Sequence, residues 1–425
     1  MGGLPMPSDF DTALERYADL IIHTGLNLQP GQRLIIADPS IRFGVPLETL
    51  PFIRTLSRAA FSAGARSVDP LWGDSALTLM ALEQRGADWV DSFPDWRYRV
   101  SADHVRDGGA YLSVHAHPPN LLQGQDEGLA ATFQRRTADD FYPTSEVTTR
   151  DRTNWCVIAI PGAEWADIVL PDLSPEDRLP GLWDLVLRIC RADRSDPAEA
   201  WRDHVAQLTL HCDYLNAKAY DALHYTADGT DLTIGLPAGH RWHGGGSTTT
   251  SGLAFIPNLP TEEVYTLPDR TRADGEVAAS MPLSVGGSII EDIRLVFKGG
   301  RVVESHASLN DALLDSKLGT DDGAARLGEV ALVPHSSPVS QSGILFFDTL
   351  YDENAACHLA LGRAYTSTIE GGASMDESAF MAAGGNVSKI HLDFMIGSDR
   401  MDIDGLTADG VSEPVMRAGE WAFDA

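Results

Sequence analysis

Arg33-Leu-Ile-Ile-Ala37, a helical stretch from Pro51 to Gly64, and Ala65-Arg-Ser-Val-Asp-Pro70 follow one another near the start of the chain. The first is an apolar run of the length of a buried strand. The second spaces its apolar residues as a helix does and ends at a glycine. The third fits the next strand. Strand, helix and strand in this order predict a βαβ unit and a mainly parallel sheet. The rhythm extends both ways. Asp11 to Gly25 reads as a helix, with Leu14, Tyr17, Ala18, Leu20 and Ile21 at helical spacing. Gln29-Pro30-Gly31-Gln32 is a turn. Tyr111–His115 and Trp155–Ile160 read as further strands of the same layer. Gln123 to Asp151 is polar and mixed, a helix followed by an exposed loop. Leu182 to Asn216 is helix-rich.

From about Thr226 the texture changes. Gly-rich turns separate short strands at Asp231–Ile234, Ile289–Phe297, Arg301–Ser305, Val330–Val333 and Gly343–Phe347. The expected architecture is α/β: an N-terminal α/β domain with a mainly parallel sheet (1–215), then a β-rich α+β domain (216–425). No internal repeat or low-complexity tract interrupts it.

At 425 residues with 43% hydrophobic content, the chain can bury two cores. The formal net charge of -29 argues against nucleic acid and against docking on anionic membranes, which need clustered Lys and Arg. It favours cations, whether metal ions or a positive substrate group. Cys156, Cys190, Cys212 and Cys357 form no CxxC pair and read as buried free thiols of a reducing compartment. The N-terminal Met-Gly-Gly-Leu-Pro-Met-Pro-Ser-Asp has neither the basic region nor the apolar core of a signal peptide. Met6 stands where a myristoylation signal needs Ser or Thr. No apolar run spans a bilayer, so the expected location is the cytoplasm.

The chemistry concentrates in the last third. In Ile390-His-Leu-Asp-Phe394, apolar and polar residues alternate. On a strand His391 and Asp393 then share one face, while the apolar set packs behind. Such a pair can ligate a metal, or it can be a surface salt bridge on a half-exposed strand. Glu329 lies between Gly328 and the apolar run Val330–Val333, where a carboxylate is costly unless paired or metal-bound. The alternative is an exposed strand end. Of Glu262 and Glu263, only one can face inward if the segment is extended, and either could be the ligand. His358 lies in the apolar Ala355–Leu361, where a lone histidine is more often a hydrogen-bonded core residue. Cys357 beside it could in principle form a nucleophilic pair, but sequence neighbours usually point apart. Tyr365, seven residues on, could donate to an oxyanion or simply pack. No HExxH, Walker A or GxSxG sequence occurs. His243-Gly-Gly-Gly-Ser-Thr reads as a flexible loop near the site. Two imidazoles and three carboxylates match what two adjacent divalent metals need if one carboxylate bridges them. Such a pair activates water against an amide or ester.

Together these segments resemble the thermophilic aminopeptidases of the M29 metallopeptidase family. The similarity runs through Ala18–Arg33, Gly229–Pro237, Pro257–Val264, Leu327–Pro334, Thr349–Ala355 and His391–Gly397. The resemblance implies a two-metal aminopeptidase that removes the N-terminal residue of peptides with a free N-terminus. It assigns Glu263, Glu329, His358, His391 and Asp393 as ligands of two divalent ions (zinc, cobalt, manganese or magnesium). Catalytic roles fall to Glu329 and Tyr365. It also implies a cytoplasmic homodimer. The competing expectations are a metal-dependent amidase or esterase on the same scaffold, and a catalytically silent metal-binding protein. Structural zinc sites usually draw on cysteine, which counts against the second.

Overall fold

A computed structural model describes residues 10–285 and 288–423. Residues 1–9, on which the reading of the N-terminus rests, lie outside it. The chain forms two compact units. One runs through Asp203 and takes up Gly246–Pro260. The other comprises His204–Gly245, Thr261–Val285 and the chain from Ile289 onward.

The first unit is built on the expected parallel sheet. Its strands lie in the order Asn258–Leu259, Trp155–Ala159, Ala110–His115, Arg33–Ala37, Ser67–Pro70, every pair parallel. Leu34, Ile35, Ile36 and Ala37 are all buried, as a strand between two neighbours requires. The connecting helix Leu50–Ser62 turns Phe52, Ile53, Leu56, Ala59 and Ala60 inward, at helical spacing. The first helix, Phe10–Leu20, widens over Ile21–Gly25, where the Leu26 N–H donates to Ile21 O at 2.8 Å. Gly25 ends it against Cys156 and Leu259, each 3.0 Å from where a Cβ would stand.

One expectation is corrected here. Gln123–Asp151 is not a helix with an exposed loop, because a single helix spans Glu127–Thr148. Asp126 caps its start, accepting from the Leu129 N–H. The helix continues past Pro143 because tertiary packing holds it: Thr144 is buried and donates to Ser101 Oγ at 3.1 Å.

The second unit is antiparallel and β-rich. An eight-stranded sheet runs in the order Arg301–His306, Arg294–Lys298, Ala273–Ala278, Thr230–Gly235, Ala222–Ala227, Asp402–Leu406, Ser412–Arg417, Glu420–Trp421. A five-stranded sheet runs His391–Met395, His358–Gly362, Leu327–Leu332, Val264–Thr266, His243–Gly244. Their apolar faces share one core that includes Leu223, Leu232, Leu295, Val330, Leu359 and Phe394.

Two expected strands differ. Ile289–Phe297 is broken into Ser288–Ile290 and Arg294–Lys298, with Asp292 between them at φ 54°. Gly343–Phe347 forms no strand. The Phe346 and Asp348 N–H groups donate to the Asp352 carboxylate, and Phe347 sits at φ 52°. The ladder partners a strand would need are thereby taken by a side chain.

Candidate metal centre

The five-stranded sheet brings the chemistry to one face. Strand registers pair Glu329 with Ala360 and Ala360 with Asp393, so these three form a row across three strands. His358 opposes Ala331 and Met395 in the next row, and Gly362 opposes His391 in the other direction. Tyr265 opposes both Ala331 and His243, which extends the same face. The alternating residues Val264, Val330, Leu332, Leu359, Leu361, Leu392 and Phe394 go into the core behind. Alternation at period two separates an apolar back from a polar front. Ala331, Ala360 and Gly362 keep that front open, because none fills the space between the ligand-type side chains.

Glu263 reaches the site from just ahead of its strand. Glu262 and Glu263 are both buried and lie just ahead of the strand that begins at Val264. They serve different partners. Glu262 Oε2 lies 3.5 Å from His204 Nε2, and its backbone N–H donates to Asn354 Oδ1 at 2.6 Å. Glu263 Oε2 lies 3.0 Å from His358 Nε2. Geometry therefore puts Glu263, not Glu262, among the candidate ligands.

Glu329 faces both imidazoles, at 3.7 Å from His358 Nε2 and 3.9 Å from His391 Nε2. His391 Nε2 is 3.3 Å from Asp393 Oδ1. The donors form two triads, Glu263–Glu329–His358 and Glu329–His391–Asp393, each with its ligand atoms within 4.8 Å of one another. Glu329 belongs to both.

The imidazoles are held from behind. His358 Nδ1 donates to Ala356 O at 3.2 Å and His391 Nδ1 to Arg363 O at 2.7 Å. Each Nε2 is left to face carboxylate oxygens, the arrangement by which proteins orient metal-binding histidines.

Electrostatics say the cluster lacks positive charge. Burial pushes the Glu329 carboxyl up to about 7, and Glu263 and Asp393 add to the rise while both histidines oppose it. Burial alone would lower both histidines. Glu263 and Glu329 outweigh it at His358, and Asp393 with Glu329 brings His391 to about 9. Asp393, despite its burial, is held below its ordinary range by His391. Glu263 Oε2 and Asp393 Oδ1 are buried without a hydrogen-bond partner. Orphaned carboxylate oxygens facing imidazole nitrogens fit a cation between them.

One residue was not singled out from sequence. Glu353, on the short turn Glu353–Ala355 ahead of the His358 strand, has its carboxyl raised well above the ordinary value. Burial is the main cause, followed by Asp393 and Glu263, so it faces the same charges. Its neighbour Asn354 is the residue that holds the Glu262 N–H, so this turn also steadies the segment that delivers Glu263.

Tyr365 stands against the site, its ring 5.0 Å from His391 and 6.2 Å from Tyr265. Its hydroxyl is held in the protonated form by burial, then by Glu329 and Asp393. Cys357 points away. Its thiol contacts Val333 O at 3.4 Å and Met416 Sδ at 3.5 Å, and burial pushes it up to about 11, which leaves an inert core thiol. His243-Gly244 is a short strand rather than a flexible loop, with the His243 ring 6.2 Å from Tyr265.

Comparison with known proteins identifies the family. The family model described as thermophilic metalloprotease (M29) matches residues 10–421. Aminopeptidase 2 of Geobacillus stearothermophilus is 42% identical, over 98% of this chain and 99% of its own. Aminopeptidase T of Thermus thermophilus is 41% identical, over 97% and 99%. The solved structure of wild-type AmpT from Thermus thermophilus superposes with a TM-score of 0.89 at 40% identity, covering 97% of this chain and 100% of that one.

Proposed function

The chain belongs to the thermophilic metalloprotease (M29) family, and from that premise we propose that it is a two-metal aminopeptidase acting on peptides with a free N-terminus. One observation carries the two-metal part: two triads of donors share Glu329, and the imidazoles in both present Nε2 to carboxylates. Four carboxylates, Glu263, Glu329, Glu353 and Asp393, also balance two divalent cations with both histidines neutral. Glu263 and His358 would hold one ion, His391 and Asp393 the other, with Glu329 shared, while Glu353 adds its charge to the centre. When bound, the ions supply Lewis-acid polarisation of the scissile carbonyl and lower the pKa of a water.

The chain's own groups do the rest. The Tyr365 hydroxyl, kept protonated beside Glu329, donates to the oxyanion that develops on the carbonyl. The proton for the leaving amine passes through a carboxylate of the set, Glu329 being the one that faces both imidazoles. The net charge of -29 draws a substrate ammonium toward an acid-rich site. No helix among the described residues is long and apolar enough to cross a membrane. The proposal extends to a cytoplasmic homodimer.

The test uses metal-stripped protein and a panel of aminoacyl p-nitroanilides, with zinc, cobalt, manganese or magnesium restored and N-acetylated substrates as controls. Metal-restored turnover of the free-amine substrates alone is expected. Cleavage of acetylated substrates alone would replace the proposal with an amidase. Bound metal without any turnover would leave a silent protein.

A further inference from the structure

Arg363 follows the His358–Gly362 strand, and its backbone already serves the site. Its carbonyl accepts from His391 Nδ1, and its N–H donates to Ile390 O, both at 2.7 Å. Gly362 makes this possible: its φ is 101°, and Ile390 O lies 2.2 Å from where a Cβ would stand. The side chain has no such account. It is half-buried, and among the described residues its guanidinium makes no ion pair or hydrogen bond. Several arginines elsewhere in this unit are paired, as Arg272 is with Asp221, Arg301 with Asp322 and Arg417 with Asp404. With 61 acidic residues against 32 basic ones, an arginine left unpaired two residues before Tyr365 is notable. Its charge acts on the Tyr365 hydroxyl, against Glu329 and Asp393. A cation with its planar set of donors unused therefore belongs to the residue that holds His391, within electrostatic reach of Tyr365.

We propose that Arg363 is a carboxylate-binding subsite that receives the C-terminal carboxylate of dipeptides and similarly short peptides. The inference rests on the aminopeptidase reading and narrows its substrate class. If Tyr365 meets the carbonyl under attack, the next group along a dipeptide is its terminal carboxylate. A guanidinium grips that group with two parallel hydrogen bonds. Without the arginine, the surrounding carboxylates would repel it. The substrate is then read at both ends, its ammonium by acid and its carboxylate by Arg363, which fixes its length.

The experiment compares kcat/KM for Leu-Gly and for Leu-Gly amide, using the full metal-loaded chain. The readout is their ratio, in the wild type and in Arg363→Gln and Arg363→Lys. The wild type should favour the free acid by about tenfold or more. Arg363→Gln should bring the ratio toward one, and Arg363→Lys should keep part of it, since lysine retains the charge but not the fork. Metal content and unfolding temperature check that each variant is folded. A wild type indifferent to amidation, or an Arg363→Gln variant with the wild-type ratio, overturns the subsite and leaves the aminopeptidase intact. If the wild type cleaves neither peptide with any metal, the aminopeptidase reading itself falls and the subsite falls with it.

Discussion

Replacing Glu329 by glutamine should stabilise the protein without metal and weaken it with metal. Glu329 is 5% exposed, and in the metal-free fold its carboxyl sits at about 7 against an ordinary 4.5. The folded state therefore holds this proton more tightly than the unfolded state does. Below about pH 4.5 both states are protonated and the group costs nothing. The cost grows as pH rises and is complete above about 7, where ionised Glu329 disfavours the fold by roughly 3 kcal/mol. Glutamine carries no charge at any pH. Metal-free Glu329→Gln should exceed the wild type at pH 8 by roughly 1–3 kcal/mol, the lower figure applying if the new amide finds no partner. The two should converge near pH 4. Metal reverses the sign, because the variant loses the carboxylate common to both triads. Urea unfolding at pH 8 and pH 4, with chelator and with zinc, measures all four cases. A metal-free variant less stable than the wild type at pH 8 would refute the reasoning. So would one whose stability gains as much from zinc as the wild type's does.

Four further outcomes are expected. Chelation should lower the unfolding temperature of the wild type: two sites each held at a hundredfold over Kd contribute about 5 kcal/mol, or roughly 6 °C for 425 residues, in differential scanning calorimetry. His358→Ala and Asp393→Ala should lose metal, by elemental analysis, and turnover together; unchanged turnover in either removes it from the ligand set. Tyr365→Phe should lower kcat by about 10²–10³ with metal content unchanged, the size of one lost oxyanion donor in single-turnover assays. Cys357→Ala should remain active, because its thiol faces the core; loss of activity in a folded variant would reopen the Cys–His reading.

How far the sequence could be read depended on the range of the forces involved. His391 and Asp393 were legible because a strand's period of two is local, and Ile390, Leu392 and Phe394 declare which side is buried. The βαβ rhythm at 33–70 was legible for the same reason. Glu353 was not: it stands in Asp352-Glu353-Asn354, an acidic run that reads as solvated, and only the turn's packing brings it to the site. Asn258–Leu259 joins the parallel sheet with two residues, too few for any periodic signal. Ile344, Leu345 and Phe346 have strong strand propensity, but the Asp352 carboxylate captures the N–H groups a ladder would use. Telling the partners of Glu262 from those of Glu263 needed the bond from the Glu262 N–H to Asn354 Oδ1, 92 residues away along the chain.

The row Glu329–Ala360–Asp393 makes the spacing of the donors a property of the hydrogen-bonded ladder. Neighbouring strands keep a separation of about 4.8 Å, so the donors stand on a fixed ruler that side-chain rotation can trim but not reset. A slip of one residue along any of these strands would turn its candidate ligands into the core and its leucines outward. Intermediate registers therefore offer no weaker version of the centre. A chain that has not closed this sheet should hold no ions at all, and metal uptake should report completed folding as sharply as any spectroscopic probe of the core.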